Sequence, residues 1–453
     1  MTIAVVGGGW AGLSAALALH DAGYRVEVYE VAPTLGGRAR SVVMPGFTSG
    51  IDNGQHILLG AYEQTLRLMQ RLHRNPAQLF LRLPLQLKSA RHDFELRCRD
   101  LPSPWHAAAG VLFAKGWRIS EKIRLLSAIT QLRSNKWLIE PDLPLAQWLV
   151  NTAQPQTVIR HFWEPLCLAA LNTPVSQAST QQLARVLKDS LDAGTRASDA
   201  LIPTTDLSDL WANHLPKSIN VRTGHPVRQI EQTRDGYKVN GERQYDGLVV
   251  ATPPAVTKRL LAPLPYEQNS QALLDTLATF EPVPIATLTL ALKTPWHALA
   301  DAMLMLDDSE QPGVLGQWLF NHAKISDDPL RQAVLTVVIS DCRELMKLDR
   351  AKAMAALIAQ VRQQTGLSGP MPQILHQALI VEKRATFAAT PGLLRPKNAT
   401  PWPRLVLAGD WTDTGYPAVL EGAVRSGQAA ARQMLEQTLD SKETQRRQGQ
   451  GAQ

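Results

Sequence analysis

Residues 2–30 read TIAVVGGGWAGLSAALALHDAGYRVEVYE: an apolar run, a glycine-rich turn, a helical pattern and a second alternating run. The first run, residues 2–6, is short and apolar, as expected for a buried strand. Between residues 12 and 23 the apolar side chains fall on one helical face: Leu13, Ala16, Leu17 and Leu19. A strand, a helix and a strand joined this tightly form a βαβ unit, which requires a parallel sheet.

The turn in this unit carries three glycines, Gly7, Gly9 and Gly12, with the spacing Gly-x-Gly-x-x-Gly. In such a turn the first glycine permits the sharp bend, the second lets a phosphate approach the backbone, and the third lets the helix pack closely. The helix N-terminus then offers unpaired N–H groups to the phosphates. Glu30 lies 18 residues after Gly12, where an acid can bond ribose hydroxyls. We therefore predict a dinucleotide site.

Two further motifs favour FAD over NAD. Gly36, Gly37 and Arg38 follow the second strand, and a glycine pair with a cation is suited to lie over a pyrophosphate. Gly409 and Asp410 end the apolar segment LAGD just before the last helix. An NAD site is usually completed within one βαβ half, whereas an extended FAD needs a second site. Asp410 is the expected partner of the ribityl hydroxyls, and the helix end suits the pyrimidine oxygen of reduced flavin.

Composition sets broader limits. The chain has 453 residues, 45% apolar and 19% charged, as in a globular protein of two domains. Its net charge of +7 is compatible with nucleic acid, an anionic membrane or an acidic cofactor, and we expect no nucleic-acid partner. The cysteines Cys98, Cys167 and Cys342 are isolated, so we expect neither a disulfide nor a metal site. With no secretory signal or long apolar span, we expect a cytoplasmic location, with peripheral attachment to the inner membrane face left open.

Later segments predict a second sheet. Short strands are expected within residues 219–251, followed by strands over 285–292, 314–320, 334–340 and 377–382. Turns or a helix near 350–365 separate them, so a mixed or antiparallel sheet is expected. A last strand over 404–408 and a last helix over 420–437 precede a polar tail that we expect to be disordered.

Residues 105–137 are helical and basic, with three tryptophans: Trp105, Trp117 and Trp137. Their cations are Lys115, Arg118, Lys122, Arg124, Arg133 and Lys136, against Glu121 alone. Cationic helices with tryptophan suit the interface of an anionic bilayer. A solvated charged face with its tryptophans in the core fits the same pattern.

The motifs in residues 7–40 and the Gly409-Asp410 ending resemble the flavin amine oxidase and phytoene desaturase superfamily. The resemblance implies an α/β fold: an FAD-binding Rossmann-like (GR2-type) domain built from separate segments, with an inserted α+β substrate domain. The FAD-binding segments are then expected at 1–80, 211–260 and 386–438. The substrate domain takes 81–210, a helical part with the membrane-docking helices, and 261–385, its sheet; the tail is 439–453.

Two passages narrow the resemblance: DNGQHILLG at 52–60 and AGDWTDTGYP at 408–417 are similar to the hydroxysqualene dehydroxylases of bacterial hopanoid synthesis. The resemblance implies conversion of hydroxysqualene, a long-chain isoprenoid, to squalene by reduced FAD, with an electron donor that the sequence does not identify. It also implies further cofactor contacts, at Gly54, Gln55, His56, Val227, Val419 and Leu420. Val227 is expected on a strand over 221–230, where an ordinary buried residue is an equal alternative.

The implied chemistry needs one proton donor in an apolar pocket. Hydroxysqualene is an allylic alcohol, so protonating its hydroxyl lets water leave before hydride arrives. His56 and Asp52 lie on the loop expected to pass the flavin and are the acid candidates, although either can merely hydrogen-bond the loop or the flavin. Tyr416 is a candidate wall of the flavin face, and Trp402 carries the same ambiguity: each fits a packed aromatic equally well.

Three other functions stay open. An amine oxidase typically has a lysine about six residues before the lysine of a Lys-x-Pro turn, and aligning on Lys293 places Thr287 there. A carotenoid desaturase differs only in substrate and direction. A prenyl-binding chaperone without catalysis uses the same fold, but the glycine triplet, Glu30 and Arg38 argue against it.

Overall fold

The computed structural model describes residues 1–194, 196–307 and 316–450. The α-helices are α1 (Trp10–Asp21), α2 (Glu63–Arg71), α3 (Pro76–Leu79), α4 (Trp105–Leu112), α5 (Ile119–Ser134), α6 (Leu145–Asn151), α7 (Gln156–Val158), α8 (Glu164–Leu171), α9 (Thr180–Asp192), α10 (Pro254–Leu261), α11 (Ser270–Ala278), α12 (Pro329–Gln332), α13 (Arg350–Gln364) and α14 (Leu420–Gln450). The strands are β1 (Thr2–Val6), β2 (Arg25–Tyr29), β3 (Ser41–Val42), β4 (Ile51–Asp52), β5 (Leu58–Leu59), β6 (Phe80–Leu83), β7 (Gln86–Lys88), β8 (Glu95–Arg97), β9 (Ala200–Pro203), β10 (Asn220–Arg222), β11 (Ile230–Thr233), β12 (Gly236–Val239), β13 (Arg243–Tyr245), β14 (Gly247–Val250), β15 (Pro282–Leu292), β16 (Met303–Met305), β17 (Trp318–Asn321), β18 (Val334–Ser340), β19 (Ile374–Phe387) and β20 (Leu405–Leu407).

The first sheet is parallel and has the order β10-β2-β1-β14-β20. The predicted βαβ unit β1-α1-β2 is therefore confirmed. The chain moves outward from β1 to β2 and β10 and then returns to the other side of β1 with β14 and β20. Ligands of such sheets bind at the carboxyl ends of the strands where the order reverses, which is here between β1 and β14.

Successive side chains of β1 point to opposite faces of the parallel sheet, and both faces are buried. Ile3 and Val5 pack in one core cluster with α1, α2 and α14, whereas Ala4 and Val6 pack in another with β11–β13 and α10. The last helix is fixed against the first, because a Cβ added to Gly427 would lie 2.2 Å from the carbonyl oxygen of Ala11. The two ends of the chain thus meet on one face of the sheet.

The second sheet is antiparallel, in the order β16-β17-β18-β15-β19. The strands expected over 285–292, 334–340 and 377–382 are present, and two of them are longer than expected. The strand expected over 314–320 begins at Trp318, and its first two positions lie outside the described residues. Helix α13 covers one face of the sheet, and α4–α9 with their connections form a helical layer with its own core.

Of the two interpretations left open for the basic segment, a core position holds for Trp117 and Trp137, which are buried in the helical core, whereas Trp105 is exposed. Two expectations were wrong. Residues 221–230 are not one strand: β10 ends at Arg222, and Val227 lies buried in the loop before β11. Helix α14 continues to Gln450 where a disordered tail was expected, since Gln, Lys, Glu and Arg are good helix formers. Residues 451–453 of that tail lie outside the described residues.

Candidate active site

The glycine turn after β1 is shaped by close backbone contacts. Gly7 has φ +114°, and a Cβ there would lie 2.5 Å from the carbonyl oxygen of Ala251, which follows β14. A Cβ on Gly12 would lie 1.9 Å from the carbonyl oxygen of Gly7. Neither position tolerates a side chain, so this turn brings the start of α1 directly to the switch point of the sheet.

The N-terminus of α1 is open to an anion. Its N-cap is Gly9, which makes no side-chain capping bond, and its first turn has no acidic residue. The second glycine motif lies directly on this turn: Gly36 donates its N–H to the carbonyl oxygen of Gly8 at 2.9 Å, and Gly37 packs against the Cα of Gly9. The uncapped N–H groups and the glycine-lined backbone fit a diphosphate.

Glu30 is buried just after β2 and is fixed by the same turn. One carboxylate oxygen accepts the N–H of Gly8 at 2.7 Å, and the other accepts the N–H of Ala32 at 2.7 Å. Each oxygen keeps a second lone pair. The carboxylate is therefore pre-oriented beside the turn with acceptor capacity left for a ribose hydroxyl.

Arg38 and Asp410 are brought together although they lie at opposite ends of the sequence. One guanidinium nitrogen of Arg38 is 2.6 Å from Oδ1 of Asp410, and the other donates to the carbonyl oxygen of Ala385 at 2.7 Å. Next to this pair, the N–H of Gly409 donates to the hydroxyl of Ser426 on α14 at 2.9 Å. The two motifs that were predicted separately are thus in direct contact, through Arg38 and Asp410.

The loop at 52–56 is organised by one carboxylate. Oδ1 of Asp52 accepts the N–H of Gly54 at 3.0 Å and lies 2.8 Å from Nδ1 of His56, while Oδ2 accepts the backbone N–H of His56 at 2.5 Å. Burial acts to raise the pKa of Asp52, but the charge and N–H donors of His56 and the N–H of Gly54 outweigh it and hold this pKa below its ordinary value. Asp52 is therefore ionised at neutral pH.

A second histidine, which the sequence did not single out, contacts this loop. Nε2 of His322 lies 3.1 Å from Oε1 of Gln55 and 3.1 Å from the hydroxyl oxygen of Thr336 on β18. Burial, and then the charge of Arg331, lowers the pKa of His322 to about 4 against the opposing effect of Asp52. His322 is thus neutral and links the loop to the antiparallel sheet. It follows β17 without any local motif, so no sequence signal marked it.

Tyr416 is buried between two cations. The guanidinium of Arg425 lies 4.8 Å from its ring centroid and that of Arg185 lies 5.2 Å from it. Burial, followed by a hydrogen bond with Asp189, raises the pKa of the Tyr416 phenol, which keeps it neutral. Trp402 is a packed core residue whose indole N–H donates to the carbonyl oxygen of Pro265 at 2.8 Å.

The remaining candidates lie around the start of α14 and in β15. Val419 and Leu420 are partly buried at the start of α14 and pack against the core around α1. Thr287, the position where an amine oxidase is expected to have lysine, is buried in β15.

Within residues 1–194, 196–307 and 316–450, no cluster of three His, Cys, Asp or Glu side chains is arranged to hold a metal ion.

Comparison with known proteins agrees with this geometry. Residues 10–435 match the family described as flavin containing amine oxidoreductase. The chain belongs to this family. The enzyme is therefore a flavin-containing oxidoreductase, as the sequence predicted. Its fold is that of the flavin amine oxidases, with a parallel-sheet FAD-binding domain and an antiparallel substrate domain, which confirms the predicted fold class.

The relatives include several with matching length. The chain is 30% identical to the hydroxysqualene dehydroxylase of Rhodopseudomonas palustris, over 95% of this chain and 97% of that protein. It is 29% identical to that of Sinorhizobium fredii, over 96% and 98%. It is 25% identical to the 15-cis-phytoene desaturase of Synechococcus elongatus, over 96% of each. Among solved structures, cyclohexylamine oxidase from Brevibacterium oxydans shares the fold with a TM-score of 0.68 at 18% identity, over 96% of this chain and 99% of that one.

Proposed function

We propose that the flavin is FAD and that the enzyme uses it to convert hydroxysqualene to squalene. The cofactor assignment rests on the donor set. The uncapped start of α1 suits the diphosphate, Glu30 suits the adenosine ribose, and the Arg38–Asp410 pair suits the ribityl hydroxyls. Val227, Val419 and Leu420 stay proposed contacts of the adenine and flavin ends.

The observation that carries the substrate assignment is full-length similarity to several hydroxysqualene dehydroxylases, at 30%, 29% and 26% identity. The similarity spans both the FAD-binding sheet and the antiparallel sheet, so it includes the parts of the chain that would meet a substrate. A long-chain isoprenoid is accordingly the proposed substrate. The phytoene desaturase at 25% identity makes polyene desaturation the alternative that the experiment below must distinguish.

The reaction replaces an allylic hydroxyl by hydrogen, and the bound reduced flavin would supply the hydride. The protein must supply a proton to the leaving oxygen, so that water departs and leaves an allylic cation. Asp52 is ionised and cannot donate a proton at neutral pH. His322 is neutral, and its Nε2 already lies 3.1 Å from both Gln55 and Thr336 within the core. We therefore assign the proton donor to His56.

Asp52 and Gln55 position this donor. The carboxylate of Asp52 lies 2.8 Å from Nδ1 of His56, which orients the ring and leaves Nε2 as the nitrogen available to the substrate. Gln55 has φ +49°, a conformation that non-glycine residues adopt rarely and often at functional sites. Its hydrogen bond to His322 fixes the loop against the substrate domain. The Tyr416 ring, immobilised between two guanidiniums, is proposed to wall the site.

The deciding experiment uses enzyme whose flavin has been reduced without oxygen. Mixing it with hydroxysqualene should yield squalene and return the flavin spectrum to the oxidised form. Reduction and turnover in heavy water should place deuterium at the carbon that lost oxygen, because the hydrogen on flavin N5 exchanges with the solvent. If reduced enzyme leaves hydroxysqualene unchanged while oxidised enzyme desaturates phytoene, the desaturase function is correct instead. A purified protein without flavin absorbance would favour a prenyl-binding chaperone.

The same substrate makes a membrane surface relevant, and we propose peripheral attachment. No helix in the described part of the chain is long and apolar enough to cross a bilayer. Around α4 and the start of α5, however, large apolar side chains are exposed: Leu101, Trp105, Leu112, Phe113, Ile119 and Ile123, together called the apolar patch. Lys122 donates to the carbonyl oxygen of Leu112 at 2.8 Å, which brings α5 next to the end of α4. Apolar side chains bordered by cations suit an anionic bilayer.

A further inference from the structure

A cationic pocket lies beside the apolar patch, and one of its lining residues, Asp199, accepts the backbone N–H of Gly60 at 2.8 Å. Its volume is about 760 Å³, and its walls come from β6, from β8 and the residues after it, and from the segments before α5 and β9. No step of the proposed reaction uses these residues, so the pocket is available for another ligand.

Most charges of the pocket already have partners. Arg82 and Arg196 share the carboxylate of Asp199, at 3.0 and 3.6 Å. Lys115 is 3.0 Å from the carboxylate of Glu95. The opposite charges within these ion pairs neutralise each other.

Three charged groups of the pocket remain: the guanidiniums of Arg97 and Arg99, and the carboxylate of Asp100, which also lines the pocket. Arg97 and Arg99 lie two residues apart on an extended segment, so their side chains leave the same face, while Cys98 between them is buried. Among the described residues, no carboxylate oxygen is within ion-pair distance of either guanidinium; Arg99 instead lies 3.9 Å over the ring of Phe113. Two adjacent unpaired guanidiniums form a strong site for a phosphate or carboxylate.

A buried hydroxyl in the same pocket points to an oxygen-rich ligand. Ser198 is 1% exposed, it lines the pocket, and its Oγ has no hydrogen-bond partner in the structure. Most buried side-chain hydroxyls have a partner, so an orphaned one at a binding surface needs an explanation. A phosphate oxygen held by Arg97 and Arg99 would accept its hydrogen.

The apolar patch next to the pocket indicates which kind of molecule the phosphate belongs to. Phe113 both lines the pocket and belongs to the apolar patch, and its ring lies under the guanidinium of Arg99. A ligand that fills the pocket therefore meets exposed apolar side chains immediately beyond it. A phosphate attached to acyl chains satisfies both halves of this surface, whereas free phosphate satisfies only one.

We propose that this pocket binds the phosphate of an anionic phospholipid and thereby orients the enzyme on the membrane. The inference deepens the proposed membrane attachment and is independent of the catalytic assignment. Arg97 and Arg99 hold the phosphate, Ser198 donates to one of its oxygens, and the apolar patch enters the interface beside it.

The test measures co-sedimentation of the flavin-loaded, full-length protein with phosphatidylcholine vesicles, with and without phosphatidylglycerol. Arg97→Gln/Arg99→Gln should lower affinity for the anionic vesicles by about 30-fold, from the contribution of two cations at a membrane surface. Ser198→Ala should lower it by about tenfold. The matched control, Arg67→Gln/Lys347→Gln, removes the same charge at positions that are 66% and 68% exposed elsewhere and should change it little.

Soluble probes separate the lipid from free phosphate. Glycerol 1-phosphate should compete with vesicles for the parent protein, and Phe113→Ser should weaken vesicle binding while leaving glycerol 1-phosphate binding intact. Equal losses in the pocket and control pairs would overturn the pocket and leave only net charge. Tight binding of inorganic phosphate without binding to anionic vesicles would overturn the lipid assignment. Turnover of detergent-dispersed hydroxysqualene should be unchanged in Arg97→Gln/Arg99→Gln, so a failed dehydroxylase assignment would appear separately, in the parent protein.

Discussion

Replacing Asp52 by Asn removes the negative charge that faces His56 and keeps a side chain of the same size. In the structure this carboxylate lies 2.8 Å from Nδ1, and the two side chains are 12% and 22% exposed, so solvent screens the pair only in part. A hydrogen bond to a charged group in such a place contributes roughly 1.5–3 kcal/mol. If the imidazolium of His56 donates the proton, Asp52→Asn should slow the chemical step by about 10- to 150-fold at neutral pH.

The assay for this prediction is a single turnover. Reduced enzyme is mixed anaerobically with hydroxysqualene, and the return of oxidised-flavin absorbance gives the rate of the chemical step without contribution from the reductant. His56→Ala should slow the same step by roughly 10²–10⁴-fold, as expected for loss of a general acid. His214→Ala, which removes an exposed histidine far along the chain, serves as the control. Parent-like rates in both Asp52→Asn and His56→Ala, with normal flavin content, would refute the assignment of the proton donor.

Three other results are expected. Because the pKa of His322 is lowered to about 4, its protonation favours unfolding, so the parent should lose about 3 kcal/mol of unfolding free energy between pH 7 and pH 4 relative to His322→Gln; parallel urea-unfolding curves for the two would contradict this. Gly12→Ala should abolish flavin binding or folding, since its Cβ would lie 1.9 Å from a carbonyl oxygen, whereas Gly366→Ala, with open space around it, should change neither flavin content nor melting temperature. Glu30→Ala and Arg38→Ala should each weaken FAD affinity by about 10- to 150-fold, measured by flavin release on dilution, and full retention in both would remove their proposed roles.

The sequence by itself determined the glycine turn that joins β1 to α1. The steric demands of Gly7 and Gly12 act over a few residues, so spacing alone encodes them, and the apolar periods on either side fix the strand and the helix. The same locality explains why the antiparallel strands were expected nearly where they lie. It also explains the error over residues 221–230. The sequence there favours a strand, but only its two ends are paired, as β10 with β2 and as β11 with β12.

Only the tertiary structure decided which polar groups meet. Gln55 and His322 are 267 positions apart, and nothing near His322 in the sequence indicates that burial lowers its pKa or that it contacts the 52–56 loop. The same holds for the tryptophans of the basic segment. Trp105 is 66% exposed, whereas Trp117, in the connection between α4 and α5, is buried against Phe94, with 4.8 Å between the ring centroids. The pattern of residue types in the sequence shows that a surface is apolar. Whether that surface is then covered or exposed depends on residues from distant parts of the chain.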